Sequence, residues 1–325
     1  MQFPDEIKIA AESYALTYDH KTLAAAAASL SARYREEKGS GSVLAASPAD
    51  IAAYAVTRMP ATFAAVSTAL EHTLRRTECT IRTAADIGAG TGAAAWAASI
   101  LTDGLEDISC FEREPEMRRI GEMLMREAQI AVPAVWHDLD ITRGSLPRHY
   151  DLITACYMLG ELTEKDRERA LLTLWEHSDK LLLITEPGTP KGYANILHFR
   201  KLLTDRGAGI AFPCPDIGEC PLPDGDWCHF TARAARSKLH KQLKGGDVPY
   251  EDEKFCCIAA VRGSFTPCEA RILRSPQTAS GFVTLHVCTS GGVSDMKITK
   301  SSKLFKNARK ADCGDSFTLD KNVGK

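Results

Sequence analysis

Thr83-Ala-Ala-Asp86-Ile-Gly88-Ala-Gly90-Thr-Gly92, followed at once by Ala93-Ala-Ala-Trp96-Ala-Ala-Ser99, decides how this chain is read. A short apolar run enters a turn with three glycines and leaves it as an alanine-rich helical stretch. Glycine lets the backbone take positive φ and pass close to a ligand, and a helix start offers unpaired N–H groups. A glycine-rich turn is weak evidence by itself, and Gly88-x-Gly90-x-x-Ala93 also satisfies the dinucleotide fingerprint. Two acids point instead to S-adenosylmethionine (SAM). Asp86 stands at the strand end before the first glycine, where it suits a cationic methionine moiety and would repel a pyrophosphate. Glu112 ends the next strand, 26 residues beyond Asp86, where ribose hydroxyls need an acceptor pair. After the third strand, Trp136-His-Asp138 offers an aromatic face and a carboxylate suited to adenine, core packing and a turn being the plainer alternatives.

Working outward, apolar runs alternate with helical periods, the mark of a parallel sheet covered on both faces. Strands are predicted at Thr83–Ile87, Ile108–Phe111, Ala134–Trp136, Tyr150–Ala155 and Leu181–Thr185, and two later ones at Lys254–Arg262 and Phe282–Cys288. Helices fit between them at Ala93–Ile100, Glu114–Ala128, Glu164–His177 and Tyr193–Arg206. The fold class is therefore α/β: a class I SAM-methyltransferase (Rossmann-like) fold with a seven-stranded sheet. Residues 1–78 read as a helical region, with one helix over Lys21–Glu36 before the break Lys38-Gly-Ser-Gly-Ser42. Another helix starts at Ser47 or Pro48 and is kinked at Pro60. The predicted organisation is 1–78 helical, 79–210 methyltransferase core, 211–249 Cys-rich metal-binding insertion, 250–290 last core strands and 291–325 basic tail.

The 325 residues are 44% hydrophobic and 25% charged, ordinary for a globular protein. No apolar stretch reaches the length of a membrane span. The opening MQFPDEIKIAAESY has neither a basic n-region nor an apolar core, which makes a cytoplasmic location the expectation. Eleven cysteines then read as reduced thiols, some of them metal ligands. The net charge of -2 conceals a split. From Trp227 onward there are 17 Lys/Arg against 9 Asp/Glu, and before it 23 against 33. A basic end facing a polyanion, or simply a solvated surface, explains this.

Cys214-Pro, Cys220-Pro and Trp227-Cys228-His229 fall in a Pro/Gly/Asp-rich stretch, spaced as neither a zinc finger nor a ferredoxin. A fourth ligand is open among Cys256, Cys257, Cys268, Cys288, Cys313 and His229, and thiolates suit zinc and iron–sulfur alike. Arg233, Arg236, Lys238, Lys241 and Lys244 follow with no acid between Trp227 and Gly246. A second run, Lys297, Lys300, Lys303, Lys306 and Arg309 with Lys310, makes a basic stripe for phosphates if helical. After the fourth strand, Cys156-Tyr157-Met-Leu-Gly160-Glu161 lacks the Asn/Asp-Pro-Pro-aromatic stretch of amino-directed methyltransferases. Cys156 reads as an inert buried thiol and Glu161 as either a base or an early helix acid. The catalytic residue is unknown at this level.

DIGAGTGAAAWAA, YDLITACYMLGEL, ITEPGTPKGY, the spaced CP…CP…DWCHF and RSKLHKQLKGG…PYEDEKF together resemble the methyltransferase-like family that assembles the mitochondrial small ribosomal subunit, and its bacterial relatives. The likeness runs from about Ala52 to Asp315. It implies a SAM-methyltransferase fold bound to small-subunit rRNA in ribosome biogenesis or translation, monomeric away from the ribosome. It also implies a 4Fe-4S cluster, zinc being the alternative, on Cys214, Cys220, Cys228 and Cys288, with Gly88, Gly90 and Gly92 in the SAM loop. One departure is Cys313, where relatives tend to have Trp. Three functions compete: a non-catalytic assembly factor, an active rRNA methyltransferase, and a metal-containing small-molecule methyltransferase.

Overall fold

The computed structural model describes residues 1–35 and 47–319; the break Lys38–Ser42 and a helix end at Glu36 fall outside the described residues. Helices α1 (Asp5–Ala15), α2 (His20–Arg35), α3 (Pro48–Thr57) and α4 (Met59–Leu74) come first. Ser47 and Asp50 start α3 with a reciprocal capping box, and Pro48 occupies the first turn. Pro60 does not kink a long helix. The chain breaks at Arg58, and Pro60 sits in the first turn of α4, where its missing N–H costs nothing.

The core follows as β1 (Thr83–Ile87), α5 (Ala93–Leu101), β2 (Asp107–Phe111), α6 (Pro115–Glu127), β3 (Ala134–His137), β4 (Tyr150–Cys156), α7 (Glu164–Glu176), β5 (Ser178–Pro187), α8 (Pro190–Thr204) and β6 (Gly209–Phe212). Then come β7 (Phe230–Ala235), α9 (Lys238–Lys244) and β8 (Tyr250–Val261). The sheet order is β3-β2-β1-β4-β5-β8-β6, with β7 beside the other end of β8. β1 to β5 run parallel, while β8 is antiparallel to β5, β6 and β7. A parallel sheet reversing order between β1 and β4, then closed by one antiparallel strand, is the class I methyltransferase topology. Apolar side chains fill both faces: Phe63, Leu70, Trp96 and Leu124 on one, Leu171, Leu174 and Phe199 on the other.

Two expectations need correction. Phe282–Cys288 is not the last core strand. It lies in β11 (Phe282–Thr289) of a separate antiparallel sheet with β9 (Ala270–Ile272), β10 (Gln277–Ala279), β12 (Gly292–Thr299) and β13 (Ser316–Phe317). Val283, Leu285 and Val287 face that sheet's own small core, and the residues between them face outward, as in a sheet buried on one side. The seventh core strand is instead the four-residue β6, which runs into the Cys-rich segment. The run from Lys297 to Lys310 is not one helical stripe either. Lys297 lies on β12, Lys300 and Lys303 in turns, and Lys306 in the four-residue α10 (Phe305–Ala308).

Candidate functional site: a strand-end crevice and a cysteine-lined cavity

The reversal between β1 and β4 leaves a crevice beyond the carboxyl ends of the strands, where ligands of open α/β sheets bind. A cavity of about 480 Å³ lies there. Gly88 and Gly90 reach it after β1, Glu112 to Glu114 after β2, Leu139 to Arg143 after β3, and Cys156 to Met158 after β4. Gly88, Gly90 and Gly92 all take positive φ. At Gly92 a Cβ would also stand 2.4 Å from the Met125 methyl of α6, which would have to swing aside.

Glu112 is fixed by its neighbours. One carboxylate oxygen accepts from Gly90 N at 2.8 Å, the other from Glu114 N at 2.9 Å. Both bonds tie it to the glycine loop while it lines the cavity. Asp86 does not reach that lining. It is buried beneath the loop, accepting from Ala95 N at 3.1 Å and Thr154 Oγ1 at 2.9 Å, and bracing β1 against α5. Trp136 lies over Gly121, where a Cβ would meet its ring at 2.2 Å, and is core packing outside the cavity lining. Asp138 points outward, its side chain 73% exposed and paired with Arg118 at 3.1 Å. The carboxylate nearest its intended place is Asp140, which lines the cavity and accepts from Thr142 N and Oγ1. Sequence reading passed over Asp140, two residues along the same Asp-Leu-Asp stretch. Nor did any local signal reveal Tyr54, brought to the crevice from α3. Tyr157 also lines it, held at φ 58 without being glycine, the kind of outlier that functional sites retain.

The crevice is acidic. Burial, then the neighbouring Glu186, pushes Glu161 up to about 7. Burial likewise lifts Asp86 and Glu186 to about 7. These carboxyls hold protons in the folded chain over a range where the unfolded chain has released them. Their contribution to stability is therefore full below about pH 4 and is lost as pH rises through about 7. We expect the melting temperature of the ligand-free protein to fall between pH 5 and pH 7.5, and Glu161→Gln to reduce that slope. Binding of a cation shows the opposite trend: affinity strengthens as Glu161 ionises, and isothermal titration at pH 6 and 8 reads the difference.

A second cavity, about 70 Å³, is lined by Cys214, Cys220, Cys228, Cys257 and Cys288, with Tyr193, Arg200 and Arg271. Of the other fourth-ligand candidates, Cys256 donates to Cys228 O and Cys313 to Leu273 O. Cys268 is buried outside the lining, and His229 meets the carbonyl of Trp227. Cys288 comes from β11, Cys257 from β8, and Cys214, Cys220 and Cys228 from the stretch between β6 and β7, so the cavity joins the two sheets. Burial raises Cys214, lifts Cys228 and Cys257 well above their ordinary value and pushes Cys288 up to about 12, so these four become thiolates only against a bound cation. Among the described residues no three His, Cys, Asp or Glu side chains are gathered as around a single metal ion. The donor chemistry nonetheless fits a thiolate-held group: five soft sulfur donors line the cavity, and two guanidiniums lie among them to offset thiolate charge.

The first basic run is largely neutralised. β7 pairs with β8 so that Arg233 stands opposite Asp252, which it meets at 2.7 and 2.9 Å, and Arg236 reaches Glu251 at 3.0 Å. Lys244 faces the same Glu251, while Lys238 and Lys241 have no acid partner among the described residues. Lys300, Lys303, Lys306 and Lys310 are exposed and likewise form no ion pair among the described residues, and Lys297 lies 4.0 Å over the Phe282 ring.

Sheet order and crevice define a protein of the class I SAM-methyltransferase fold. More particularly, the chain belongs to the Rsm22 family, described as mitochondrial small ribosomal subunit Rsm22, whose family model matches residues 48–318. It is 28% identical over 290 residues to the human mitochondrial ribosome assembly protein METTL17, covering 81% of this chain and 61% of that protein. The chain thus spans about three-fifths of the length of that curated relative. Similar solved structures include a magnesium protoporphyrin IX methyltransferase from Synechocystis with bound SAM, at 14% identity and TM-score 0.41, over 71% of this chain and 90% of that one. A putative RNA methyltransferase from Pyrococcus horikoshii matches at 16% identity and TM-score 0.40, over 72% of this chain and 96% of that one.

Proposed function

We propose that this chain is a SAM-binding factor of the small ribosomal subunit that acts in its assembly. The observation that carries the ribosomal part is the family match across residues 48–318. The cofactor part rests on the crevice. Glu112 stands ready to accept from ribose hydroxyls, Asp140 and Ile141 flank the place for a base, and the acidic wall around Glu161 suits a sulfonium and an ammonium group. Methyl transfer is a second reading, favoured by the Glu161 carboxyl, which titrates near neutrality inside the cavity and is poised to accept a proton from an attacking group.

Cys214, Cys220, Cys228 and Cys288 would hold the metal group. That no three donors gather as around one ion among the described residues favours an iron–sulfur core over zinc, which draws its sulfurs to about 2.3 Å from one point. Once bound, the group supplies a cross-link between the Cys-rich segment and the second sheet.

Contact with rRNA falls to the exposed lysines from Lys297 to Lys310 rather than to the neutralised Arg233 and Arg236. Titration with small-subunit rRNA across salt concentrations tests this. Replacing Lys300, Lys303 and Lys306 together with alanine should flatten the log–log salt dependence by about one unit per lysine, whereas Arg233→Ala should leave it unchanged. RNA binding without methyl incorporation from labelled SAM supports the assembly factor, and incorporation supports the enzyme. No RNA binding at low salt removes both.

A further inference from the structure

Two cations are buried in the cysteine-lined cavity and form no ion pair among the described residues, although Asp216 and Glu219 also line it. Arg200, on α8, is 7% exposed, and Arg271, on β9, is 1% exposed. Arg200 Nη2 donates to the carbonyl of Asp216 at 2.7 Å, and its Nε is buried with no hydrogen-bond partner. Arg271 donates to the carbonyls of Pro213, Gly314 and Ala211 and lies over the Phe212 ring. Among the described residues neither guanidinium meets a carboxylate. A buried charge without a counter-charge is strongly unfavourable, and guanidinium does not escape by deprotonating. The same cavity wall carries the Cys214, Cys220, Cys228, Cys257 and Cys288 thiols. Arg200 faces Cys214 and Cys288, and Arg271 faces Cys214, Cys257 and Cys268.

We propose that Arg200 and Arg271 are positioning residues that balance the charge of an anionic, thiolate-ligated metal group in this cavity, and that Arg200 sets how readily that group is reduced. The inference rests on the metal reading above and deepens it. Four thiolates around a doubly positive iron–sulfur core sum to minus two, and the two guanidiniums cancel it. One-electron reduction adds a further negative charge, which a cation at contact range favours. The unpartnered Arg200 Nε–H is buried in the cavity that Cys214 and Cys288 also line, and donors to ligating sulfurs tune the potential of a cluster. Arg271 is committed to three carbonyls that join β6 to the C-terminal segment, which leaves Arg200 as the adjustable member.

The test uses the full chain reconstituted without oxygen with iron and sulfide, comparing wild type, Arg200→Gln and Arg200→Lys. Iron content, visible spectrum, midpoint potential and loss of iron to a chelator are read, with thermal unfolding to confirm folding. Arg200→Gln should move the midpoint to lower potential and release iron about tenfold faster, while Arg200→Lys stays close to wild type. A Gln variant that releases its iron outright while the Lys variant keeps it supports the same conclusion. A Gln variant with full iron, unchanged potential and unchanged release overturns the proposal and leaves the metal centre standing. Equal loss in both variants overturns it too, since lysine retains the charge. Wild-type protein that takes up no metal overturns the metal reading itself, a result the variants cannot mimic.

Discussion

Cys228→Ser is expected to abolish the proposed metal binding and lower the stability of the reconstituted protein by several kcal/mol, because ligation of a structural metal and folding of the segment that holds it are one equilibrium. Cys228 lies between Trp227 and His229 in a stretch with little regular structure, and Cys288 answers it from the second sheet. The stretch retains other attachments. Trp227 Nε1 donates to Gly188 O at 3.0 Å, and Arg274 pairs with Asp226 at 2.6 Å. The variant should therefore fold, less stably and without colour. Cys79→Ser, in the connection before β1 and outside the cavity, should change neither metal content nor melting temperature. Iron and sulfide analysis with differential scanning calorimetry distinguishes the pair; a Cys228→Ser protein with full metal content would remove that thiol from the ligand set.

Glu112→Ala should weaken SAM binding about a hundredfold. Its carboxylate offers charged acceptors to two hydroxyls, and each such bond is worth about 1.5–3 kcal/mol when neither side retains water. The same side chain also ties Gly90 N and Glu114 N to the loop, so its removal loosens the cradle as well as the contact. Glu112→Gln, which keeps one acceptor, should cost about tenfold. Asp138→Ala should cost less than about twofold, because that carboxylate faces Arg118 and solvent. Calorimetric titration with SAM measures all three. Near-wild-type affinity in Glu112→Ala would place the cofactor elsewhere.

The parallel core was legible in the chain because its signals are local. The run from Thr83 to Ser99 announces a strand, a glycine turn and a helix within seventeen residues. The strands through β5 and their helices follow from uninterrupted apolar runs set between helical periods. The place of Glu112 at the crevice was legible for the same reason, since it follows from its position at the end of the second strand of a βαβ unit. Cys214, Cys220 and Cys228 stood out as a cluster in a loop-like stretch, but the choice of Cys288 beside them came from the family likeness, because β11 lies some sixty residues beyond Cys228.

What only the tertiary structure decided concerns pairs distant along the chain. β11 has the alternation of any half-buried strand, and nothing within it says which sheet it joins; the short β9 and the hairpin partner β12 claim it. The basic run at Arg233 looked free because no acid lies near it in sequence. Strand pairing then set Asp252 directly opposite, where opposite charges attract across the ladder. Asp138 and Asp140 are equivalent by composition, and the turn at Thr142 selects which one faces the crevice. Sequence specifies what each segment can become. Burial and counter-charge, which depend on what folds against it, decide what each side chain is free to bind.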